Sequence, residues 1–466
     1  MGAAAQADEK HWQRVMDGER KVGFLEHSRR TEGGQVFESE VLTLELGKSG
    51  RRVTYKQRID TQSTADGSLV RLLREARTRE GHSRVEARVV GEDLVVDIGP
   101  GKHSQSRTLA GAGADLRTDE FARAWRQSVG GGAHEGPLTF RSFDPVMAAP
   151  VDVELSKVDA TVGPHRIRRR VRAGDEEFAT IQALNTKGEV IEESLRMGGL
   201  RLVLLGASEA EAKSPNQALD HVVGQFQKSP YRIPANGARA KIRYGFDNGG
   251  RVPDIPVGGG QRSWTDGQTT WIQVCAECPL DAGTLTEPQR ADALKPTPWM
   301  NFEDSRLAAR AQRVALGATE PSLIMRRLAN YVRGHMSVQR IDMLGYGSAL
   351  EAFRSRRGDC TEYAVLLAAM GRALGVPTRV VSGLVYSRYF EGQRHVFVPH
   401  VWVHAWTGAG WQSFDAALGQ FDSTHLAFAV SENGNPAELF AGLNLAHELR
   451  LVSAARVLPR KAAAAN

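Results

Sequence analysis

Residues 358–370 read Gly-Asp-Cys-Thr-Glu-Tyr-Ala-Val-Leu-Leu-Ala-Ala-Met. Gly358 interrupts the preceding pattern, so Cys360 falls in the first turn of a strongly apolar helix predicted from Cys360 to Leu374. A helix amino terminus and a neighbouring imidazolium can together lower a thiol pKa by several units from its ordinary value of about 8.5. This placement predicts a nucleophile. The alternative is a small apolar residue of the core.

Residues further along the chain supply partners for a nucleophile. Residues 398–406 read Val-Pro-His-Val-Trp-Val-His-Ala-Trp, in which polar or aromatic and aliphatic side chains alternate. A strand with this period places His400, Trp402 and His404 on one face. Either histidine can then serve as the general base for the thiol.

A carboxylate follows the strand. Residues 407–410, Thr-Gly-Ala-Gly, predict a hairpin turn, and the simplest register pairs Trp406 with Trp411 and Trp402 with Asp415. Asp415 then lies diagonal to both histidines at roughly 7–8 Å, within reach of a hydrogen bond that fixes the tautomer of a general base. This geometry does not choose between the two histidines.

Together these segments resemble the bacterial transglutaminase-like superfamily, a papain-related group of cysteine enzymes. The resemblance spans about residues 349–422 and rests on four segments in the family's order: Gly-Asp-Cys-Thr-Glu at 358–362, the helix end and strand at 372–383, His-x-Trp at 400–402 and Trp-x-x-x-Asp at 411–415. It implies an α+β fold whose carboxy-terminal, papain-like core joins helices to an antiparallel sheet. It also implies Cys360 as nucleophile, His400 as base and Asp415 as the residue that orients the base.

The resemblance leaves several neighbours as candidate contacts of the site. His404 stands where relatives usually have Glu or another polar residue, and with Trp402 and Asp359 it is a candidate for supporting the catalytic residues or lining the substrate pocket. The oxyanion is expected to be held by the backbone N–H of Cys360 and a second donor, for which Tyr346 is a candidate. Acidic loops suited to calcium are absent from the sequence, so calcium dependence is not expected.

The activity that the resemblance implies is attack of the thiolate on a peptide or protein amide, followed by release of the acyl group to water or an amine. The sequence does not decide between hydrolysis and transamidation. One alternative is a catalytically silent envelope protein that binds a peptide or a partner surface. Another is a binding or carrier protein whose amino-terminal sheet holds the ligand.

The chain has three cysteines. Cys275 and Cys278 form a Cys-Ala-Glu-Cys motif that predicts a local disulfide, because no second pair of ligands completes a structural zinc site. A redox motif would begin a helix, whereas Pro279 and a turn follow here. No metal and no cofactor are therefore predicted.

The chain's 466 residues predict two to four domains. Period-two alternation predicts a β-rich accessory domain at 1–205, interrupted by one helix at about 118–129. Residues 206–300 are predicted to form a connector with a small β unit, and its Gly-Gly-Gly run at 258–260 a flexible loop. Residues 301–466, where helical periodicity precedes strands, are predicted to be the catalytic domain.

The composition bears on partners and compartment. A net charge of +6 is spread over 60 basic and 54 acidic side chains without a long basic run, so no nucleic-acid partner is expected. No apolar run reaches the roughly 18 residues of a transmembrane segment. The small residues of 1–8 resemble the remainder of a cleaved leader, which with the cysteine pair predicts a periplasmic or secreted protein. The alternative is a cytoplasmic one.

Overall fold

The computed structural model describes residues 9–48, 51–77, 82–99, 104–133, 136–158, 164–173, 176–197, 200–218, 226–234, 237–280, 283–338, 347–390 and 392–457. The described chain separates into two compact units, formed by residues up to 218 and by residues 226–457. The predicted three-part division, with boundaries at 205 and 300, stays a prediction. Each helix within the described ranges is too short or too polar to cross a lipid bilayer.

The first unit consists mainly of strands. Its strands are β1 (Glu9–Asp17), β2 (Arg20–Glu32), β3 (Gln35–Lys48), β4 (Arg51–Thr64), β5 (Leu69–Arg77), β6 (His82–Val90), β7 (Asp93–Ile98), β8 (Gln105–Leu109), β9 (Leu138–Asp144), β10 (Ala149–Val158), β11 (His165–Ala173), β12 (Glu176–Leu184), β13 (Val190–Met197) and β14 (Leu200–Ala207). Its helices are α1 (Arg123–Gly130), which follows a 3-10 turn at Asp119–Ala122, and α2 (Glu209–Lys213). The predicted single helix at 118–129 is thus a 3-10 turn followed by α1.

These fourteen strands form one antiparallel sheet in the order β8-β7-β6-β5-β4-β3-β2-β1-β14-β13-β12-β11-β10-β9. Strands β1–β8 form one meander and β9–β14 a second. The two meanders join where β1 pairs with β14, in a register that sets Trp12 opposite Ala207. The alternation of buried and less buried side chains accounts for the sheet, because inward residues such as Val15 and Leu44 are fully buried while their chain neighbours are not.

The second unit contains both helices and strands. Its strands are β15 (Gln227–Lys228), β16 (Ile242–Asp247), β17 (Gln261–Asp266), β18 (Thr269–Val274), β19 (Ser337–Val338), β20 (Arg357–Gly358), β21 (Thr378–Phe390), β22 (Gln393–Trp406), β23 (Trp411–Phe414), β24 (His425–Ser431) and β25 (Arg450–Arg456). Its helices are α3 (Glu287–Asp292), α4 (Ser305–Ala315), α5 (Pro321–His335), α6 (Ala349–Ser355), α7 (Cys360–Arg372) and α8 (Pro436–Glu448).

Helix α7 is the central helix of the second unit. All its residues from 363 to 372 are buried, so it is enclosed on every side rather than amphipathic. It packs in one hydrophobic core with α4, α5 and α6, and with Val401 and Val403 of β22. Burying one Val, Leu or Met side chain stabilises a fold by roughly 1.5–3 kcal/mol. The apolar side chains of this core therefore hold the start of α7 against β22.

Strand β22 lies at the centre of a five-stranded antiparallel sheet. The order is β15-β22-β21-β24, and β23 pairs with a different stretch of β22 from β15. Trp406 pairs with Trp411 across the β22–β23 hairpin, which confirms the predicted register. This register carries Asp415, the residue after β23, towards the middle of β22.

A smaller antiparallel sheet has the order β17-β18-β16-β25. Strand β25 comes from the end of the described chain, so the predicted small β unit is completed by residues about 200 positions further on. Tyr244 and Phe246 of this sheet meet Phe397 and Phe428 of the five-stranded sheet edge to face in a common core.

Two local predictions differ from the structure. Helix α7 ends at Arg372, two residues before the predicted end, because the chain turns at Gly375, whose φ is +72°. The run of glycines at 258–260 is packed rather than loose. The N–H of Gly259 donates to the carbonyl of Trp411 over 3.1 Å.

Candidate active site

Cys360 is the first residue of α7, and its neighbours form a capping box. The carboxylate of Asp359 accepts a hydrogen bond from the N–H of Thr361 at 2.9 Å, and that of Glu362 accepts one from the N–H of Asp359 at 2.9 Å. A Cβ on Gly358 would lie 2.4 Å from the Cβ of Glu362, so only glycine fits before the cap. The capping box therefore fixes the direction in which Cys360 leaves the helix.

The environment of Cys360 favours the protonated thiol. The side chain is half-buried, and its desolvation and the negative charge of Asp359 raise its pKa well above the ordinary value. The N–H of Val401, next to His400, donates towards the sulfur and opposes this effect only in part. The helix amino terminus was expected to lower the thiol pKa, but burial of the sulfur, together with the charge of the capping Asp359, outweighs that effect. Cys360 therefore needs a base to become a nucleophile.

His400 and Asp415 form a buried hydrogen-bonded pair. Nε2 of His400 donates to Oδ2 of Asp415 over 2.8 Å, and the two residues are 5% and 2% exposed. The other carboxylate oxygen, Oδ1, accepts the N–H groups of Ala417 and Leu418 at 2.8 and 3.0 Å. Because Nε2 is the donor, Nδ1 of a neutral His400 keeps the free lone pair that a general base requires.

The electrostatics keep Asp415 ionised. Burial by itself would raise the pKa of this carboxyl, but the charges and hydrogen bonds of His400 and His425 lower it far below the ordinary value. Asp415 therefore remains an acceptor at neutral pH, and it holds His400 in one tautomer.

His425 is a functional candidate that the sequence analysis missed. It begins β24, is 1% exposed, and its Nε2 lies 3.1 Å from Oδ2 of Asp415. Its Nδ1 faces Asp422, whose carboxylate and carbonyl oxygens lie at 3.2 and 3.1 Å. The available signal was the Asp-Ser-Thr-His sequence at 422–425 directly before the apolar run 426–430.

Trp402 and His404 occupy different surroundings on the same strand as His400. The indole of Trp402 stacks on the His400 ring, with centroids 6.1 Å apart and an angle of 21°. His404 does not reach Asp415, because it lies opposite Ser413 and against Gly259, where a Cβ would come within 2.1 Å of its Nε2. Burial, assisted by Arg379, lowers the pKa of His404 well below the ordinary value, so the ring is neutral.

The remaining residues predicted for the site lie near the His400–Asp415 pair or outside the described residues. Tyr346 is outside the described residues. Cys275 and Cys278 are joined in a disulfide with Cα atoms 5.4 Å apart. The disulfide lines a cavity of about 310 Å³ whose wall also includes Arg326, Asp415 and Phe421. This cavity lies beside the carboxylate and is lined by neither Cys360 nor His400.

The trio His400, Asp415 and His425 also has the composition of a metal site. One nitrogen or oxygen atom from each lies within 4.8 Å of the others, a grouping that the described part of the chain shows at this place only. However, the contacts of 2.8 and 3.1 Å from ring nitrogens to one carboxylate oxygen are hydrogen-bond lengths, and ring N–H groups directed at the carboxylate are not free to bind a cation. Hydrogen bonding alone accounts for the arrangement.

Comparisons with known proteins match parts of this chain. Residues 308–416 match the model of the transglutaminase-like superfamily. The uncharacterized protein ML0607 of Mycobacterium leprae is 29% identical over 126 residues, which are 27% of this chain and 44% of that protein. The chain thus matches less than half the length of this curated relative.

Two solved structures overlap with about half of the chain. The periplasmic domain of TgpA from Pseudomonas aeruginosa, bound to ethylmercury, is 17% identical, covers 49% of this chain and 84% of its own, and has a TM-score of 0.27. A protein of Cytophaga hutchinsonii provisionally assigned as a cysteine protease is 12% identical, covers 50% and 84%, and has a TM-score of 0.29.

Proposed function

Taking the superfamily match of residues 308–416 as the premise, we propose that the second unit is a cysteine-dependent enzyme acting on a peptide or protein amide. Within a papain-like core, Cys360 is the nucleophile, His400 the base and Asp415 the residue that orients it. The observation that carries the proposal is the buried 2.8 Å hydrogen bond from His400 to Asp415, on the strand whose next residue, Val401, donates towards the Cys360 sulfur.

The raised pKa of Cys360 determines the order of proton transfers. The resting sulfur is a thiol, so His400 accepts its proton as sulfur bonds to the amide carbonyl carbon. The tetrahedral intermediate collapses, His400 gives the proton to the leaving amine, and a thioester remains on Cys360. Water or an amine then attacks the thioester, transfers a proton to His400 and releases the acyl group, after which the thiol is restored.

The oxyanion of the tetrahedral intermediate requires donors that are already in place. The N–H of Cys360 is one of the first-turn donors of α7 that have no partner within the helix. We assign it as the first oxyanion donor, because it belongs to the residue that carries the attacking sulfur.

The proposal is tested by trapping the thioester. Wild type, Cys360→Ala and His400→Ala are incubated with a library of peptide amides, with and without an excess of a primary amine, and analysed by intact-protein and peptide mass spectrometry. We expect cleaved or amine-linked peptides and an acyl adduct on Cys360 in the wild type only. Amine-linked products would assign a transamidase, and cleavage that is unaffected by the amine would assign a peptidase.

A substrate-free measurement separates a wrong library from a wrong mechanism. The rate at which iodoacetamide alkylates Cys360 is measured against pH in wild type, His400→Ala and His404→Ala, each with Cys275 and Cys278 replaced by Ser. A rate that depends on His400 and not on His404 supports the proposal. An ordinary thiol profile in all three proteins would contradict it and favour the silent binding protein.

A second candidate function belongs to the first unit. This unit has a partly open cavity of about 600 Å³, and its lining includes the side chains of His27, Glu38, Glu40 and Asp119. We propose this cavity as the place where a carrier or substrate-presenting domain would hold a polar ligand. Peptide turnover that is unchanged after deletion of residues 1–205 would count against a required role.

We also propose an oxidising compartment, periplasmic or secreted, for this protein. The support is the Cys275–Cys278 disulfide, because such bonds persist outside the reducing cytoplasm. Mass-tagging of free thiols in rapidly acid-quenched cells tests it. Blocked cysteines at 275 and 278 are expected, and two free thiols there would favour the cytoplasmic alternative.

A further inference from the structure

His425 shares the carboxylate that orients the base. Oδ2 of Asp415 accepts from Nε2 of His400 at 2.8 Å and from Nε2 of His425 at 3.1 Å, while Oδ1 is occupied by two backbone N–H groups. The two rings meet edge to face with centroids 5.6 Å apart. One carboxylate oxygen therefore lies between two imidazoles, and only one of them belongs to the predicted catalytic trio.

The contacts of His425 define its proton state. Nε2 faces a carboxylate oxygen, and Nδ1 faces the carboxylate and carbonyl oxygens of Asp422, all of which accept hydrogen bonds. The alternative, in which Nδ1 accepts from the N–H of Asp422, is the longest of these contacts at 3.3 Å. Both ring nitrogens therefore carry protons, and the ring is an imidazolium. Burial would lower the pKa of His425, but Asp415 and Asp422 outweigh it and raise it to about 9.

The groups around His425 come from several elements. Asp415 follows β23, Asp422 precedes β24 and His400 is on β22. Trp402 and Phe421 cover the ring, with centroids at 5.3 and 4.9 Å. Beyond Asp422 lies the phenol of Tyr244, which donates to the carbonyl of Ser423 and whose pKa burial raises well above the ordinary value, so it is neutral.

Strand pairing fixes the position of His425. It lies opposite Val385 in the β21–β24 ladder, and the carboxylate of Asp422 is held by the N–H and hydroxyl of Thr424 at 2.8 and 2.6 Å. The ring is thus constrained by the sheet on one side and by a turn on the other. It is placed before any substrate arrives.

We propose that His425 is a positioning residue that remains protonated and shares Asp415 with His400. The proposal rests on the proposed function, because its effect is exerted on the base of that reaction. Asp415 orients His400, but the positive charge of His425 balances the negative charge of Asp415. Asp422 accepts the other ring proton of His425, the one on Nδ1. His400 is therefore held in the correct tautomer without the full attraction of an isolated carboxylate for its proton.

The sign of the effect gives a test. Without the positive charge of His425, Asp415 attracts the proton on His400 more strongly, so the base becomes protonated at higher pH. The acidic limb of the pH–rate profile, for any rate that depends on His400, must then move to higher pH. A role confined to stability would lower the melting temperature or the yield of folded protein without moving that limb.

Three variants separate charge from hydrogen bonding. His425→Gln keeps a donor directed at Asp415 without the charge, His425→Leu removes both, and Asp422→Asn weakens the partner of Nδ1. The readouts are the pH dependence of Cys360 alkylation, the pH dependence of kcat/KM with a peptide found to be a substrate, and the thermal midpoint. The Cys275→Ser/Cys278→Ser background isolates alkylation at Cys360.

For His425→Gln we expect an acidic limb moved upward by at least about half a pH unit, with a rate at the optimum within about tenfold of wild type. We expect no upward shift for Asp422→Asn, because this variant removes a negative charge while Asp415 still holds the proton on His425. For His425→Leu we expect a loss of about a hundredfold. If His425→Leu does not fold, the other two variants decide.

The outcome that contradicts the role of His425 differs from the outcome that contradicts the proposed function. A folded His425→Gln protein with an unmoved limb, or one moved downward, overturns the role of His425. If wild-type alkylation does not depend on His400 at all, the proposed function itself fails, and the inference about His425 fails with it. A His400-dependent rate with an unmoved limb in His425→Gln leaves the proposed function intact and removes only this inference.

Discussion

Replacing His400 removes the ring that connects Asp415 with the region of Cys360. For His400→Ala we expect turnover to fall by about 10²–10⁴-fold, the usual contribution of a positioned acid–base group. His404→Ala is the matched control on the same strand. Its ring lies against Gly259 and does not reach Asp415, so turnover should stay within a few-fold of wild type. Steady-state kinetics with a peptide substrate make the comparison, and equal losses in both variants would contradict the assignment of the base.

The buried imidazolium of His425 predicts a pH dependence of stability. Its pKa is about 9 in the folded protein and about 6.5 in an unfolded chain, so its stabilising effect is complete below about pH 6.5. The stabilising effect, about 3.5 kcal/mol at roughly 1.4 kcal/mol per pH unit, is lost as the pH rises through 9.

The measurement is urea unfolding of wild type and His425→Gln at several pH values between 6 and 10. We expect the difference in unfolding free energy between the two proteins to shrink across this interval, because only the wild type loses a proton at His425. Other titrating groups are common to both proteins and cancel in the comparison. A difference that stays constant with pH would show that the ring is neutral throughout.

At the level of secondary-structure elements, the residue that caps α7 affects the pKa of the Cys360 thiol. The charge of Asp359 helps to raise the pKa of Cys360, whereas its side-chain oxygen caps the helix. Asp359→Asn keeps the acceptor and removes the charge, so we expect Cys360 alkylation near pH 8 to become several-fold faster. Asp359→Ala is the control that also removes the cap, at a cost of about 0.5–2 kcal/mol. An unchanged alkylation rate in Asp359→Asn would show that burial alone holds the proton on Cys360.

Gly383 of β21 lies in close contact with the backbone of β24. A Cβ on Gly383 would lie 1.9 Å from the carbonyl oxygen of Leu426, at a bulge in the ladder that also positions His425. For Gly383→Ala we expect unfolding to become easier by at least about 2 kcal/mol and turnover to fall, because the backbones must separate. Gly206→Ala in β14 is the matched control, since its nearest neighbour is 3.4 Å away. Chemical denaturation and kinetics of both variants test this.

The parts of the site that follow from local sequence could be predicted. The start of α7 at Cys360 and the β22–β23 register depend on neighbouring residues, a cap and a two-tryptophan hairpin, and both are present. His425 could not be placed this way, because its position depends on β24 pairing with β21, about 40 residues earlier. The thiol pKa was misjudged for a related reason, since the sequence shows a helix terminus but not how deeply the sulfur of Cys360 is buried.

The fold shows the same difference between features set by neighbouring residues and features set by distant ones. Alternation indicated a β-rich first half and helices before a sheet at the carboxy-terminal end. It gave no sign that β25 would return to pair with β16, or that fourteen strands would form one sheet. Such pairings connect residues far apart in the chain, and periodicity carries no information about distant partners.

For the whole molecule, the described residues of the proposed catalytic trio and its neighbours all lie in the second unit. We expect a chain that lacks residues 1–218 to keep the pH-dependent alkylation of Cys360 within a few-fold. The measurement is alkylation kinetics together with circular dichroism, which reports whether the shortened chain is folded. A folded but unreactive chain would show that the first unit contributes to the site.

The order of strands in the large sheet has a consequence for how the first unit folds. Within each meander every strand pairs with its sequence neighbour, so each can form from short hairpins that close quickly. The seam between them requires Trp12 to meet Ala207, and closing so long a loop is entropically costly and slow. The middle of the finished sheet is therefore expected to assemble last, with β1 and β14 as exposed edges open to pairing with other chains until the two meanders meet.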